Sequence, residues 1–408
     1  MSCGWATMSA FSFPTEVVSE GSVKILVPEL RAFSSKPSDY APSKAPVFYN
    51  PVMELNRDLA VLMVQAFQRA VGRDLSICEP LAGCGVRGVR MAREVEGIER
   101  VVINDINDEA YGLARFNVEK NGLLGRVSVE NEDANFLLGR FGAPKKRFDY
   151  VDIDPFGSPI PFVDSSLRAL RSGGLLAMTA TDLTALCGVY PRVCVRRYGG
   201  KPLRTEYCHE LAVRLLAGAL ARAAAKYDVG VRVLFSYSSE HYVRVYAVVG
   251  HGAERADVAI GSMGCVHHCS SCLYREVVKG MFQGERVCPE CGKRMAIAGP
   301  LWLGEVADEG FVESLEMEAR GRSYRWKKSI RALLALVRAE ADAPISYYVV
   351  DVVCNKLGLP VPSVKRVVER LRTGGYKAWL THFHPRGFRT NAAARAVGEA
   401  VTACASTS

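Results

Sequence analysis

The stretch Asp152-Ile-Asp-Pro-Phe-Gly157 sets a carboxylate, a rigid ring and an aromatic side chain side by side at Asp154, Pro155 and Phe156. That trio suits one kind of chemistry. An exocyclic amine conjugated to an aromatic base is a weak nucleophile, because its lone pair is delocalised into the ring. A carboxylate at Asp154, helped by backbone carbonyls of the Pro155 turn, can accept the amine's N–H bonds and direct its lone pair at an electrophilic carbon held in line. The same carboxylate can take the released proton. Phe156 offers a flat face for a base extruded from its stack. The bland alternative is an Asp-Pro turn closing a buried strand, and Asp-Pro alone would merit no more.

The motif has company. Residues 79–88 read Glu-Pro-Leu-Ala-Gly-Cys-Gly-Val-Arg-Gly, so Gly83, Gly85 and Gly88 fit GxGxxG. Glycine lets a backbone bend sharply and approach a ligand, and Asp105, ending the next apolar run, can accept hydrogen bonds from ribose hydroxyls. This pair fits a dinucleotide enzyme and a methyl-transferring enzyme equally, with a plain tight turn as the third reading. Two features favour S-adenosyl-L-methionine. Asp133 follows the third apolar run, where an adenine amino group could be recognised; its plain alternative, a helix N-cap, is compatible with ligand binding. Arg87 has no evident role toward NAD but could pair with a methionine carboxylate. At the position of Asp154-Pro-Phe-Gly157, amino-methyltransferases carry (Asp/Asn)-Pro-Pro-aromatic or a variant of it. A cysteine-based transfer would need a thiolate beside the site; Cys187 and Cys194 are the candidates, and nothing nearby marks either as activated.

The elements that must position these residues are legible as alternating patterns. Apolar, β-branched runs predict strands over 75–78, 100–104, 126–129, 148–153, 175–179, 231–235 and 242–249. Helical periodicity falls between them at 86–95, 108–119, 160–170 and 205–225. Strand–helix alternation predicts an α/β fold with a doubly wound sheet. The last two strands, linked through 238–241, read as an antiparallel hairpin. Seven strands ending this way make the Rossmann-like architecture of class I methyltransferases. Ahead of them, residues 34–51 contain four prolines and read as an ordered arm.

A smaller α+β region follows. Cys269-Ser-Ser-Cys272 and Cys288-Pro-Glu-Cys291, with fifteen residues between the pairs, have the spacing of a structural zinc site. Cys265, His267 or His268 could supply a rival ligand set, but only Cys269 and Cys272 mirror the second pair. Four cysteines leave no open position, which makes the zinc structural and not catalytic. Helical stretches begin at 308 and run over 324–341; helices at 346–357 and 363–372, then an aromatic strand-like 376–383, resemble a winged helix. Lys365, Arg366, Arg370, Arg372, Lys377, Arg386 and Arg389 lie among Tyr376, Trp379 and Phe383, which suits a nucleic-acid backbone; a solvated helix face is the plain alternative. The expected division is an N-terminal arm, 1–55, a methyltransferase domain, 56–260, and a zinc-containing, tRNA-binding domain, 261–408.

Bulk properties agree. A chain of 408 residues with 49% hydrophobic and 23% charged residues is that of a folded protein of more than one domain. A net charge of +9 suits a polyanionic partner. No apolar run is long enough to cross a bilayer, and the first 13 residues lack the pattern of a secretory signal. Thirteen cysteines, an odd number, point to a reducing compartment and a metal site over a disulfide framework, with the cytoplasm expected. Nothing calls for an obligate protein partner.

With these motifs, the chain closely resembles the tRNA (guanine-26) N2-dimethyltransferase family of archaea and eukaryotes. The strings that carry the resemblance are Val47-Phe-Tyr-Asn-Pro-Val-Met-Glu-Leu-Asn-Arg-Asp58, 152–157, Glu240-His-Tyr-Val-Arg-Val-Tyr246 and Thr381-His-Phe-His-Pro-Arg-Gly387. The resemblance extends from about residue 16 to 394. It implies that Arg57 and Arg87 contact the cofactor, that Asp105 meets the ribose and that Asp133 and Ala134 meet the adenine. Phe48 would lie over the cofactor, and residues 154–157 would receive the guanine. The pattern alone would make Arg57 a solvated helix residue. The family commonly has Ala-Thr-Gly or Ala-Ser-Gly where this chain has Gly83-Cys84-Gly85. Rival activities are amino-methylation of adenine or cytosine in DNA, guanine-N2 methylation elsewhere in tRNA or in rRNA, and a zinc-containing nucleic-acid-binding protein with a vestigial Rossmann domain. The intact Asp105, Asp133 and Asp154 argue against the last.

Overall fold

The computed structural model describes residues 11–34, 41–239 and 241–406. Residues 35–40 of the proline-rich arm, and Glu240 of the family string, lie outside the described residues. The largest sheet has seven strands, and it is built from chain segments whose apolar runs are buried on both faces, as a sheet covered by helices requires.

The chain divides into two compact units. The first comprises Met1–Asp154, Ser165–Ala177 and Ser314–Arg331. It opens with an antiparallel hairpin, β1 (Thr15–Glu20) and β2 (Val23–Pro28), turning at Gly21 with φ 55°. Then follow α1 (Glu54–Val71), β3 (Leu75–Glu79), α2 (Val86–Glu94), β4 (Ile98–Asn104), α3 (Asp108–Lys120), β5 (Val127–Glu130), α4 (Ala134–Arg140) and β6 (Phe148–Ile153). Strand β3 pairs in parallel with β4 and β6, and β4 with β5. The expected helix at 160–170 is shorter. A 3-10 turn at Ile160–Phe162 leads into α5 (Val163–Ala169), and β7 (Leu170–Ala180) already begins at Leu170.

The second unit comprises Pro155–Asp164, Met178–Glu313 and Ala332–Ser408. Short helices α6 (Leu183–Leu186) and α7 (Pro191–Tyr198) precede the long α8 (Cys208–Ala225), and β8 (Val229–Ser239) pairs antiparallel with β9 (Tyr242–His251) as expected. The full strand order is β5-β4-β3-β6-β7-β9-β8. After α9 (Ala253–Gly261) come β10 (Met263–His268), β11 (Arg275–Lys279) and β12 (Ala296–Trp302), a separate sheet of order β11-β10-β12. Helices α10 (Glu309–Arg320) and α11 (Lys327–Ala339) follow. The chain ends in β13 (Tyr348–Val349), α12 (Val350–Leu357), α13 (Val364–Thr373), β14 (Ala378–Leu380), β15 (Gly387–Thr390) and α14 (Ala394–Ala405), with sheet order β13-β15-β14. Phe388, Val353, Val367 and Leu371 form the core of this last segment.

Candidate active site

The glycine turn joins β3 to α2. Gly83 and Gly85 hold left-handed φ of 56° and 75°, open to glycine at little cost. A side chain at Gly83 would also meet the Phe48 carbonyl at 2.9 Å, so the arm lies directly on the turn. Asn107 Nδ2 fastens the arm again by donating to the Pro46 carbonyl at 2.9 Å. Asp105 closes the turn from β4: Oδ2 accepts from the Gly83 N–H at 2.8 Å, and Oδ1 from the Asn107 N–H at 3.0 Å. Asp133 caps α4, its Oδ1 accepting from the N–H groups of Asn135 and Phe136, which leaves Oδ2 outside the cap. Ala134 is buried just behind it.

Arg87 is only 4% exposed and is held by three acids. Its Nη1 donates to Asp152 Oδ2 at 3.0 Å, its Nη2 is bound to Asp154 Oδ2, and its Nε lies 3.3 Å from Glu79 Oε1. Tyr150 Oη adds a 2.6 Å bond to Asp152 Oδ2, and Glu79 Oε2 accepts from the Gly88 N–H at 2.8 Å. Burial pushes the Glu79 carboxyl up to about 8 against the pull of Arg87. The glycine turn and the end of β6 therefore share one charged knot. Sequence reading placed Arg87 and Asp154 at the site but missed Glu79 and Asp152 as their common partners.

Arg57 corrects the solvated-helix expectation. It is buried, with Nε donating to Glu20 Oε1 at 2.6 Å and Nη2 to Glu20 Oε2 at 2.7 Å. Arg90 joins Glu20 at 2.9 Å and Asp58 at 2.7 Å. Burial would raise the Glu20 carboxyl, but the two guanidiniums bring it below its ordinary value. The hairpin is thus pinned to α1 and α2 through a buried acid that no local pattern reveals.

In the second unit, Phe156 is 71% exposed and Gly157, at φ 77°, bends the turn after it. Thr181 clasps that turn. Its N–H donates to the Gly157 carbonyl at 2.9 Å, and its Oγ1 accepts from the Gly157 N–H at 2.7 Å. Asp182 beside it accepts from Tyr198 Oη and, at 2.9 Å, from Arg197 Nη1. Cys194 is buried and its thiol is pushed up to about 12 by burial; a hydrogen bond with Cys208, and then burial, likewise raise Cys187. Neither is an activated nucleophile.

Cys269, Cys272, Cys288 and Cys291 converge, their sulfurs within 4.8 Å of one another. Sγ separations are 3.4 Å for Cys269–Cys291 and 3.5 Å for Cys272–Cys288. A tetrahedron with Zn–S bonds of ~2.3 Å has S···S edges of roughly 3.8 Å, so the donor set fits zinc in number, softness and spacing. Cys265, His267 and His268 stay in β10; His267 Nε2 lies 3.1 Å from the Gly284 carbonyl, and burial drives His268 down to about 3.

The basic surface needs one correction. Lys365, Arg366, Arg370, Arg372, Lys377 and Arg386 are exposed, but Arg389 is buried between Glu210, at 3.0 Å, and Glu340. Phe383 is also buried, stacked on Tyr347. Two paired acids drew Arg389 inside.

A family model described as N2,N2-dimethylguanosine tRNA methyltransferase matches residues 21–402. The chain belongs to this family. A tRNA (guanine(26)-N(2))-dimethyltransferase of Methanobrevibacter smithii is 40% identical over 390 residues, 95% of this chain and 97% of that protein. A tRNA (guanine(26)-N(2)/guanine(27)-N(2))-dimethyltransferase of Aquifex aeolicus is 37% identical over 381 residues, 92% and 93% of the two chains. Among solved structures, Trm1 of Pyrococcus horikoshii, in complex with S-adenosyl-L-methionine, matches with a TM-score of 0.82 and 33% identity, covering 94% of this chain and 99% of that one. The family resemblance and the Rossmann-like methyltransferase sheet expected from the sequence are both borne out. No helix among the described residues is long and apolar enough to cross a membrane.

Proposed function

We propose that this family member transfers methyl groups from S-adenosyl-L-methionine to the exocyclic N2 of guanine 26 in tRNA, giving N2,N2-dimethylguanosine. The observation that carries the reading is Asp154 bound to Arg87 at the end of β6, followed at once by an exposed Phe156. Amino-methylation of DNA, the rival chemistry, is not favoured by relatives named for their action on tRNA.

When bound, the donor supplies an electrophilic methyl on a sulfonium. The chain's residues do the rest. We assign Asp105 to the ribose hydroxyls, Asp133 Oδ2 and Ala134 to the adenine, and Phe48 to the cover over the donor. Gly83 and Gly85 allow the close approach, and Arg57 and Arg87 complete the charged wall on the donor's amino-acid side. Phe156 stacks on the extruded guanine. Asp154, with one oxygen held by Arg87, accepts from the N2 amino group with the other, keeps its lone pair aimed at the methyl, and takes the proton lost on transfer. Pro155 fixes the turn so that this geometry costs little to reach. For the second methyl, the monomethylated nitrogen rotates about its bond to the ring and the spent donor is replaced.

Cys269, Cys272, Cys288 and Cys291 would hold a structural zinc that ties β10 and β11 to the 288–292 turn. The segment β13 to β15, a winged-helix-like unit, would lay Lys365, Arg366 and Arg370 on tRNA phosphates. In this division residues 56–260 carry transfer and 261–408 carry zinc and tRNA contact, in a cytoplasmic setting that keeps thiols reduced. Asp154→Ala is the test: transfer should be lost while calorimetric affinity for the donor stays near wild type. Retained turnover would remove Asp154 from the catalytic role.

A further inference from the structure

A second group of metal-type donors lies away from the four-cysteine site. Cys187, ending α6, and Cys208 and His209, opening α8, each direct one ligand atom into a common space, with those atoms within 4.8 Å of one another. The two cysteine sulfurs therefore lie close together, as shared ligation of one ion requires. Cys208 sits at the first turn of an 18-residue helix. Such a helix start favours the thiolate over the thiol. His209, the next residue along α8, supplies the imidazole nitrogen of the group.

An independent observation points into the same space. Tyr347 is fully buried, and its hydroxyl has no hydrogen-bond partner among the described residues. That hydroxyl is near enough to Cys208 and Cys187 for their charges to act on it. A buried phenol without a partner is costly and calls for one that these residues do not supply. A metal-bound water or a metal-bound thiolate beside Cys208 would be that partner. Tyr347 stacks at 5.8 Å on Phe383, the residue before His384.

We propose that Cys187, Cys208 and His209 form a second transition-metal site, of zinc type, with its fourth position filled by His384 or by water under the Tyr347 hydroxyl. Two soft sulfurs and an imidazole select zinc over magnesium or calcium, and a tetrahedral ion fits three ligands and one further donor. The ion would lock the end of α6, just past Asp182, to the start of α8.

The test is metal stoichiometry on the full-length protein, purified under reducing conditions and reconstituted with zinc or cobalt. Elemental analysis should find two ions per chain in the wild type and one fewer in Cys187→Ser/Cys208→Ser. With cobalt, that variant should lose about a third of the thiolate-to-metal charge-transfer absorbance, because two of the six thiolate ligands belong to the second site. The milder His209→Ala should lose the same ion while its circular dichroism stays native, which guards against a variant that fails to fold. Replacing Cys269 and Cys272 by serine should remove a different ion, so the count at the second site does not depend on the first. No difference in metal content between wild type and both variants would overturn the proposal. So would a Cys187–Cys208 disulfide found by thiol counting in the reduced preparation.

Discussion

The guanidinium of Arg87, one residue into α2, is bound to the carboxylate of Asp154, one residue past β6. The glycine turn and the Asp-Pro-Phe-Gly motif are 67 residues apart in sequence, yet one ion pair joins them. Through Asp152 and Glu79 the same guanidinium touches both strands that end at the site. The glycine turn and the Asp154 carboxylate are thereby held by one side chain.

Replacing Arg87 by alanine should therefore act on both. Asp154 loses its anchor, and three acids are left facing one another. Single-turnover transfer is expected to fall by about 100-fold, the usual consequence of misplacing a reacting group, and calorimetry should show weaker donor binding. Lysine at this position should rescue little, because an ammonium cannot reproduce the forked geometry. An Arg87→Ala protein with wild-type transfer would show that the pair is incidental.

Phosphate binding should separate from stability in the C-terminal segment. Lys365→Ala/Arg366→Ala/Arg370→Ala should weaken tRNA binding and reduce the slope of log affinity against log salt by roughly one for each phosphate no longer neutralised. Arg389→Ala should instead cost about 3–5 kcal/mol of folding stability, because Glu210 and Glu340 are left buried and uncompensated. Chemical denaturation and filter binding distinguish the two effects. A triple variant with an unchanged salt slope would take the tRNA off this surface.

Acid sensitivity has an identifiable source. Burial would raise the Glu340 carboxyl, but Arg389 and His382 hold it down to about 2 from an ordinary 4.5. A depressed carboxylate adds stability that is complete above pH 4.5 and is lost as pH falls toward 2. The full effect is about 3 kcal/mol. Glu340→Gln should lose that stability at neutral pH and show a flatter decline between pH 4.5 and 2. An unchanged pH profile in this variant would assign acid unfolding to other groups.

What the sequence revealed and what it hid follow one physical division. Strands β3 to β6 are short apolar runs bounded by turn residues, and they were legible to within two residues. Asp105 and Asp154 were legible because they end such runs. The burial of the start of α1 was not legible, since Asn56, Arg57 and Asp58 look like a solvated helix face yet are buried. Arg57 and Asp58 pair with Glu20 and Arg90, which are remote in sequence, and Glu210 lies 179 residues from Arg389. Charge reads as surface unless its partner is known. The early start of β7 was hidden for a related reason: Arg171-Ser-Gly-Gly174 has turn composition, but its backbone continues the strand. The hairpin at Thr15–Pro28 escaped because the proline-rich stretch after it dominated the reading.

The four-cysteine site should behave as a folding element. Cys269→Ser or Cys288→Ser is expected to lose one zinc, lower Tm and increase hydrogen exchange across β10 to β12, leaving donor affinity unchanged. Zinc content, calorimetry and exchange on one preparation check all three. A variant that keeps its full Tm would make the cysteines dispensable for folding.

The most direct measurement is nucleoside mass spectrometry of an unmodified tRNA transcript after incubation with the purified protein and S-adenosyl-L-methionine. N2,N2-dimethylguanosine should appear in the wild-type reaction, map to position 26, and vanish both with Asp154→Ala and with a transcript carrying adenine there. Transcript recovered unmethylated from a folded, donor-binding preparation, or methylated on a ring nitrogen or carbon instead of the exocyclic amine, would contradict the account.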